Sequence, residues 1–305
     1  MIPALILAAL PGAQDLLAAR APNAPAPLAM PGGGEWVHPS VVHVPAGWNG
    51  HAWWMAATPY PDSDAAQENP CLFCSDDGVA WRVPGGAANP LVPRPKEARR
   101  YNSDPHLALD PGGDLLLFFR TAGGDRGDVL WLMRSRDGVR WSPPRKILET
   151  PLEDERQLSP AVLRHGDGWA LYYVDASAYP YTVRRRTAPR PEGPWSPPMA
   201  VTGLSTPEDR MIWHLDAFRE GDAVALLLNT TAVYRTREGG ALVLALSRDG
   251  LAFTPAGRPL LGGTPGWDRS IYRSCCVPLA GGGHRIYYSA WGPGLGWRLG
   301  LAALD

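Results

Sequence analysis

One strand-like phrase returns five times along the chain, and that return limits the folds open to it. The copies are HPSVVHV from His38, DPHLALD from Asp104, SPAVLRH from Ser159, HLDAFRE from His214 and RSCCVPL from Arg273, spaced 66, 55, 55 and 59 residues apart. Each opens on a polar residue and runs into aliphatic or β-branched positions. A second apolar strand follows each copy after a Gly-rich turn: HAWWMAAT, DLLLFFR, WALYYVD, AVALLLN and HRIYYSAW. A third strand and, in four units, a short fourth complete the repeat. One four-stranded sheet cannot bury both faces alone, whereas sheets stacked in a ring can. The arithmetic predicts an all-β, five-bladed β-propeller with four antiparallel strands per blade. The last unit stops after its third strand, WRLGLAALD. The segment APLAMP near residue 30 resembles the missing strand, so residues 25–31 are expected to close the final blade.

Composition agrees. The 34 Gly and 33 Pro among 305 residues favour turns over long helices, and 13 Trp within a 45% hydrophobic chain exclude disorder. The net charge of −1 gives no electrostatic footprint for nucleic acid or anionic lipid. No apolar run reaches the length of a spanning helix. The first 24 residues read as a signal-peptide-like or unstructured leader without a basic n-region, compatible with a secreted or periplasmic protein, and residues 25–305 as one domain. Cys71, Cys74, Cys275 and Cys276 lack zinc-site spacing and read as small buried residues, with one disulfide left open. The turn S-x-D-G-x-x-W at Ser75–Trp81 and Ser135–Trp141, with a Phe variant at Ser247–Phe253, recurs once per blade. It is therefore read as structural, with its aromatic packed between blades. The N-x-T pattern at Asn229 is likewise read as structural.

The first strand of each propeller blade lines the central channel. Aligned, the repeats bring His38, Asp104, His214 and Arg273 to one mouth from the strand starts. His106 and Asp216 follow two residues on, and Arg120, Asp175 and Trp291 come from the ends of second strands. Charge pointing inward is costly without a partner or ligand, so these departures from the repeat mark a candidate site. Loops at the same mouth carry Tyr60, Glu68, Tyr179, Tyr181 and Trp297. Aromatic faces beside carboxylates suit sugar rings.

These strand starts (HPSVV, SDPHL, LSPAV) and turns resemble those of the five-bladed β-propeller glycosidases, the superfamily of arabinanases, β-xylosidases and invertases. The resemblance covers residues 35–305 and implies hydrolysis of an oligo- or polysaccharide by paired carboxylates. The family typically has an Asp on blade one, a carboxylate on blade two and a Glu on blade three. This chain keeps Asp104 but has His38 and Ser159 at the other two positions. The expected catalytic carboxylates are Asp104 and Asp216, with Glu68 next. His38, His106, Arg120, Asp175, His214, Arg273, Trp291 and Tyr60 are expected to bind substrate. No cofactor is expected. No local ligand spacing marks a metal, although His38, His106, His214, Asp104 and Asp216 are the residues a channel metal would draw on. The alternatives are a non-catalytic carbohydrate-binding propeller and a protein-interaction propeller.

Overall fold

A computed structural model describes residues 26–304. They form five antiparallel sheets around one axis. Blade one is β2 (Trp36–Trp48), β3 (His51–Pro59) and β4 (Cys71–Ser75), and an isolated bridge from Cys74 to Arg82 stands where a fourth strand would run. Blade two is β5 (Arg100–Leu109), β6 (Leu115–Gly123), β7 (Asp128–Ser135) and β8 (Arg145–Thr150). Blade three is β9 (Gln157–His165), β10 (Gly168–Asp175), β11 (Thr182–Ala188) and β12 (Met199–Ala200). Blade four is β13 (Arg210–Glu220), β14 (Ala223–Ala232) and β15 (Ala241–Ser247), edged by two short pieces, β16 (Thr254–Pro255) and β17 (Leu261–Gly262). Blade five is β18 (Ser270–Pro278), β19 (His284–Gly292) and β20 (Gly296–Leu304).

The missing strand of blade five is supplied from the other end of the described chain, as the repeat predicts. β1 (Ala26–Pro27) pairs antiparallel with β20, Ala26 opposite Leu301 and Pro27 opposite Gly300. Leu28 N–H extends the pairing to Leu299 O at 2.8 Å, and Leu28 and Met30 enter the core between blades five and one. The leader expected over residues 1–24 lies outside the described residues. Among the described residues, no helix is long and apolar enough to cross a membrane. All four cysteines are buried free thiols, so the disulfide left open by spacing is not formed.

Each S-x-D-G-x-x-W turn is a small machine for blade packing. In the first copy Ser75 Oγ accepts from Gly78 N–H at 2.9 Å, and Asp77 Oδ1 accepts from Val79 and Ala80 N–H, both at 2.8 Å. The same bonds recur at Asp137 and Asp249. The glycine is obligatory twice over. Gly78, Gly138 and Gly250 sit at φ of 73°, 73° and 72°, and an aromatic ring from the preceding blade covers each one. A Cβ would stand 2.3 Å from Trp54 at Gly138 and 2.5 Å from the Tyr172 hydroxyl at Gly250. The motif's own aromatic completes the seam: Trp81 packs edge-on to Tyr287 and Phe253 to Tyr172.

The inner strands β2, β5, β9, β13 and β18 contact one another in a closed ring. Their register breaks near the mouth, at Val37/Ser40 in β2, Ser103/His106 in β5, Leu158/Ala161 in β9, Ile212/His214 in β13 and Ile271/Ser274 in β18. Within or beside these breaks His38, Asp104 and Ser159 take left-handed backbone, at φ of 58°, 54° and 58°. A non-glycine residue there costs on the order of 1–2 kcal/mol, and the bulge re-aims its side chain.

Candidate functional site

At the mouth His38 and Asp104 look into a cavity of about 190 Å³, lined also by Glu68, Arg120, Arg156 and His214, whereas the Ser159 hydroxyl bonds to Leu215 on the next blade. Tyr60, Tyr101, Tyr181, Trp213 and Tyr272 form its aromatic walls. Asp104 is its fully buried floor. Asp104 Oδ2 accepts from Arg120 Nε at 2.9 Å and Nη2 at 2.7 Å, and Oδ1 accepts from Arg273 Nη1 at 3.0 Å. Burial alone would raise this carboxyl, but Arg120, His38 and Arg273 outweigh it and hold Asp104 well below the usual carboxylate range. Asp104 is therefore an anion at every working pH. Arg120 is shared with buried Asp128, 3.3 Å away.

Two imidazoles face the same Asp104 oxygen. His38 Nε2 lies 3.7 Å and His214 Nδ1 3.6 Å from Oδ1. His38 Nδ1 stands 3.0 Å from Thr58 Oγ1 and 3.2 Å from Glu68 Oε2. Nδ1 thus faces two side-chain oxygens while Nε2 faces Asp104. His38 Nε2 and both ring nitrogens of His214 are buried without a hydrogen-bond partner. Burial pushes His214 well below the ordinary histidine range, so its ring is neutral. Two imidazoles with unused nitrogens beside one fixed carboxylate make a divalent-cation donor set. One ligand atom from each of His38, Asp104 and His214 lies within 4.8 Å of the others. Glu68 lines the same cavity on the Nδ1 side of His38. Its Oε2 accepts from Ser103 Oγ, and among the described residues its other oxygen makes no hydrogen bond.

The sequence-predicted residues divide between this cavity and its supports. His38, Tyr60, Glu68, Asp104, Arg120 and His214 line it. Arg273 lies behind Asp104 and also donates to Pro160 O at 3.2 Å. Asp216 and His106 are not among the cavity-lining residues. Asp216 Oδ2 accepts from Cys276 N–H at 3.0 Å, and His106 Nε2 stands 2.9 Å from Val162 O. Ser40 does the same job, accepting from Leu107 N–H at 2.9 Å. In blades one, two and four the residue two beyond the strand start thus stitches its blade to the next. Buried there, Asp216 is pushed up to about 7 and His106 down to about 3, both first by desolvation. Asp175 caps the following loop, accepting from Ser177 Oγ at 2.7 Å and from Arg156 N–H at 3.2 Å. Trp291 lies under the Arg237 guanidinium, 5.5 Å from its ring centroid.

Sequence reasoning missed Tyr272 and Trp213. Each immediately precedes a predicted site residue, so simple alternation sends it to the opposite face. The register breaks at Ile212/His214 and Ile271/Ser274 bring Trp213 and Tyr272 to the cavity side as well. Tyr272 lies 4.3 Å from the His214 ring and 4.8 Å from Trp297, between centroids.

No protein-family profile matches the chain. It is 27% identical over 307 aligned positions to the A type blood N-acetyl-α-D-galactosamine deacetylase of Flavonifractor plautii, covering 83% of this chain. The chain spans 40% of the length of that curated relative. Among solved structures it resembles an N-acetylgalactosamine deacetylase from F. plautii in complex with blood group B trisaccharide. The TM-score is 0.81 at 23% identity over 92% of this chain and 94% of the other. It also resembles the α-L-arabinanase of Cellvibrio cellulosa complexed with arabinohexaose, with TM-score 0.64 at 12% identity over 89% and 92% of the two chains. The five-bladed frame is thus shared with propeller glycoside hydrolases, as the strand starts imply, and with a deacetylase.

Proposed function

We propose that this propeller acts on carbohydrate and removes an acyl group from an amino sugar by hydrolysing its amide, with a divalent cation held by His38, Asp104 and His214. The observation that carries the reading is the set of unpartnered imidazole nitrogens turned toward one oxygen of a permanently ionised carboxylate. The likeness to a deacetylase supports it. A cation bound there would supply Lewis acidity toward an amide carbonyl and toward water. Glu68, on the same cavity, takes the proton of the attacking water. A carbon–oxygen bond forms as the carbon–nitrogen bond breaks, and Glu68 returns the proton to the departing nitrogen, leaving acetate and a free amino sugar. Tyr60, Trp213 and Tyr272 offer aromatic faces to the sugar ring. Arg120 and Arg273 keep Asp104 charged and fixed.

Glycosidic cleavage is the second reading, because Asp104 and Glu68 share the cavity and the frame is that of glycoside hydrolases. Such a pair needs one carboxyl group that can be protonated and one free to act. Asp104 meets neither need, since guanidinium groups occupy both of its oxygens, and Asp216 bonds to the neighbouring blade instead.

The deciding experiment incubates the purified protein with a trisaccharide ending in N-acetylgalactosamine, and separately with aryl arabinofuranoside and xyloside. Acetate and a free amine are expected from the first. A chelator should abolish their release and Mn²⁺ or Zn²⁺ restore it, while His214→Ala should lower the rate by a hundredfold or more. Release of reducing sugar without acetate would establish the glycosidase instead. Binding without either product would mean a carbohydrate-binding propeller.

A further inference from the structure

The aromatic wall of the cavity does not stop at its rim. Tyr181, which lines the cavity, lies 6.0 Å from Trp213, 6.2 Å from Tyr179 and 6.4 Å from Tyr234, between ring centroids. Tyr179 and Tyr234 lie 5.9 Å apart. The three tyrosines come from two blades: Tyr179 and Tyr181 from the β10–β11 loop, Tyr234 from the β14–β15 loop. Tyr179 and Tyr234 are 42% and 66% exposed and are two of the five large hydrophobic side chains that the described residues leave to solvent.

Tyr234 sits in left-handed backbone at φ 57°, a conformation that disfavours a bulky side chain. Its N–H is tied to Met211 Sδ at 3.5 Å, and the turn around it is closed by Arg235 N–H to Ala232 O at 3.0 Å. Tyr179 is fixed through its hydroxyl, which donates to Glu208 O at 3.0 Å. Backbone strain that holds a ring out of the core gains the fold nothing; it makes sense when the ring meets a ligand. Arg156 also lines the cavity, its Nε held 3.5 Å from Asp128 Oδ2.

We infer that Tyr179, Tyr181 and Tyr234 form a stacking subsite for the sugar ring next to the one being deacylated, so that the substrate is an oligosaccharide of at least two neutral rings and not a free amino sugar. The inference rests on the function proposed above. At about 190 Å³ the cavity is below the usual size for a drug-sized ligand and suits a single ring. The tyrosines begin where that ring would end, and their faces match the C–H face of a neutral pyranose.

The test is calorimetric. Methyl N-acetyl-α-galactosaminide and a trisaccharide with the same terminal sugar are titrated into the wild-type protein and into the Tyr179→Ala/Tyr234→Ala double variant. The wild type should prefer the trisaccharide, and the variant should lower the trisaccharide-to-monosaccharide affinity ratio by about tenfold, with an unaltered melting temperature. Equal wild-type affinity for the two sugars, or a ratio that the variant leaves intact, overturns the subsite while leaving the deacylase reading standing. A wild type that binds neither sugar overturns both.

Discussion

Asp104 carries the heaviest electrostatic load of any residue in the site. It is wholly buried, contacted by two guanidinium groups and faced by two imidazoles. Removing one partner of such a cluster leaves uncompensated charge in low dielectric, which costs about 3–5 kcal/mol. Asp104→Ala should therefore destabilise the fold by about that amount in urea denaturation. A loss below about 1 kcal/mol, the scale of an exposed ion pair, would mean that Arg273 and Arg120 do not depend on it. Asp104, His38 and His214 are legible in the sequence because each departs from its own repeat at an aligned position. The role of Asp216 is not legible, because its partner is a backbone N–H one blade away, at Cys276. Nothing in strand alternation distinguishes a side chain that faces the axis freely from one that bonds sideways to the next strand.

At the scale of the element, the recurrent turn shows why a motif that repeats is structural. The glycine of each copy needs positive φ and also yields space to an aromatic side chain of the blade before it. Gly138→Ala meets both penalties at once, with a Cβ 2.3 Å from the Trp54 ring. We expect a cost of about 2–4 kcal/mol, summed from the left-handed conformation and overpacking. Thermal denaturation checks it, and a shift no larger than that of an exposed Gly→Ala change would show that the seam is loose. Strand order, hairpins and the closing strand were all readable from sequence, since each follows from local turn chemistry and period-two patterning. The bulges were not, because a single extra residue leaves no compositional trace. They are also what brings Trp213 and Tyr272 to the cavity beside His214 and Arg273.

For the whole molecule, closure of the ring places every cysteine inside. Cys71, Cys275 and Cys276 are buried between or within blades, and desolvation raises all three thiols, Cys71 to about 12. Cys74 is buried as well. Ellman's reagent should find no reactive thiol in the native protein and four after denaturation without reductant. Fewer than four would reveal a disulfide that the structure does not contain. Five separate blades sharing one axis also explain why fold and chemistry differ so much in legibility. The fold is written five times over in the sequence, whereas each site residue is written once.

His38, Asp104 and Ser159 share a left-handed backbone at the same step of three successive inner strands, yet they are an imidazole, a carboxylate and a hydroxyl. The conformation that sets the direction is thereby separated from the functional group that occupies it. A frame built this way offers interchangeable sockets, in which one substitution replaces an acid with an imidazole and leaves the trajectory of the chain untouched. Related rings can then exchange the groups at their mouths without inventing new architecture.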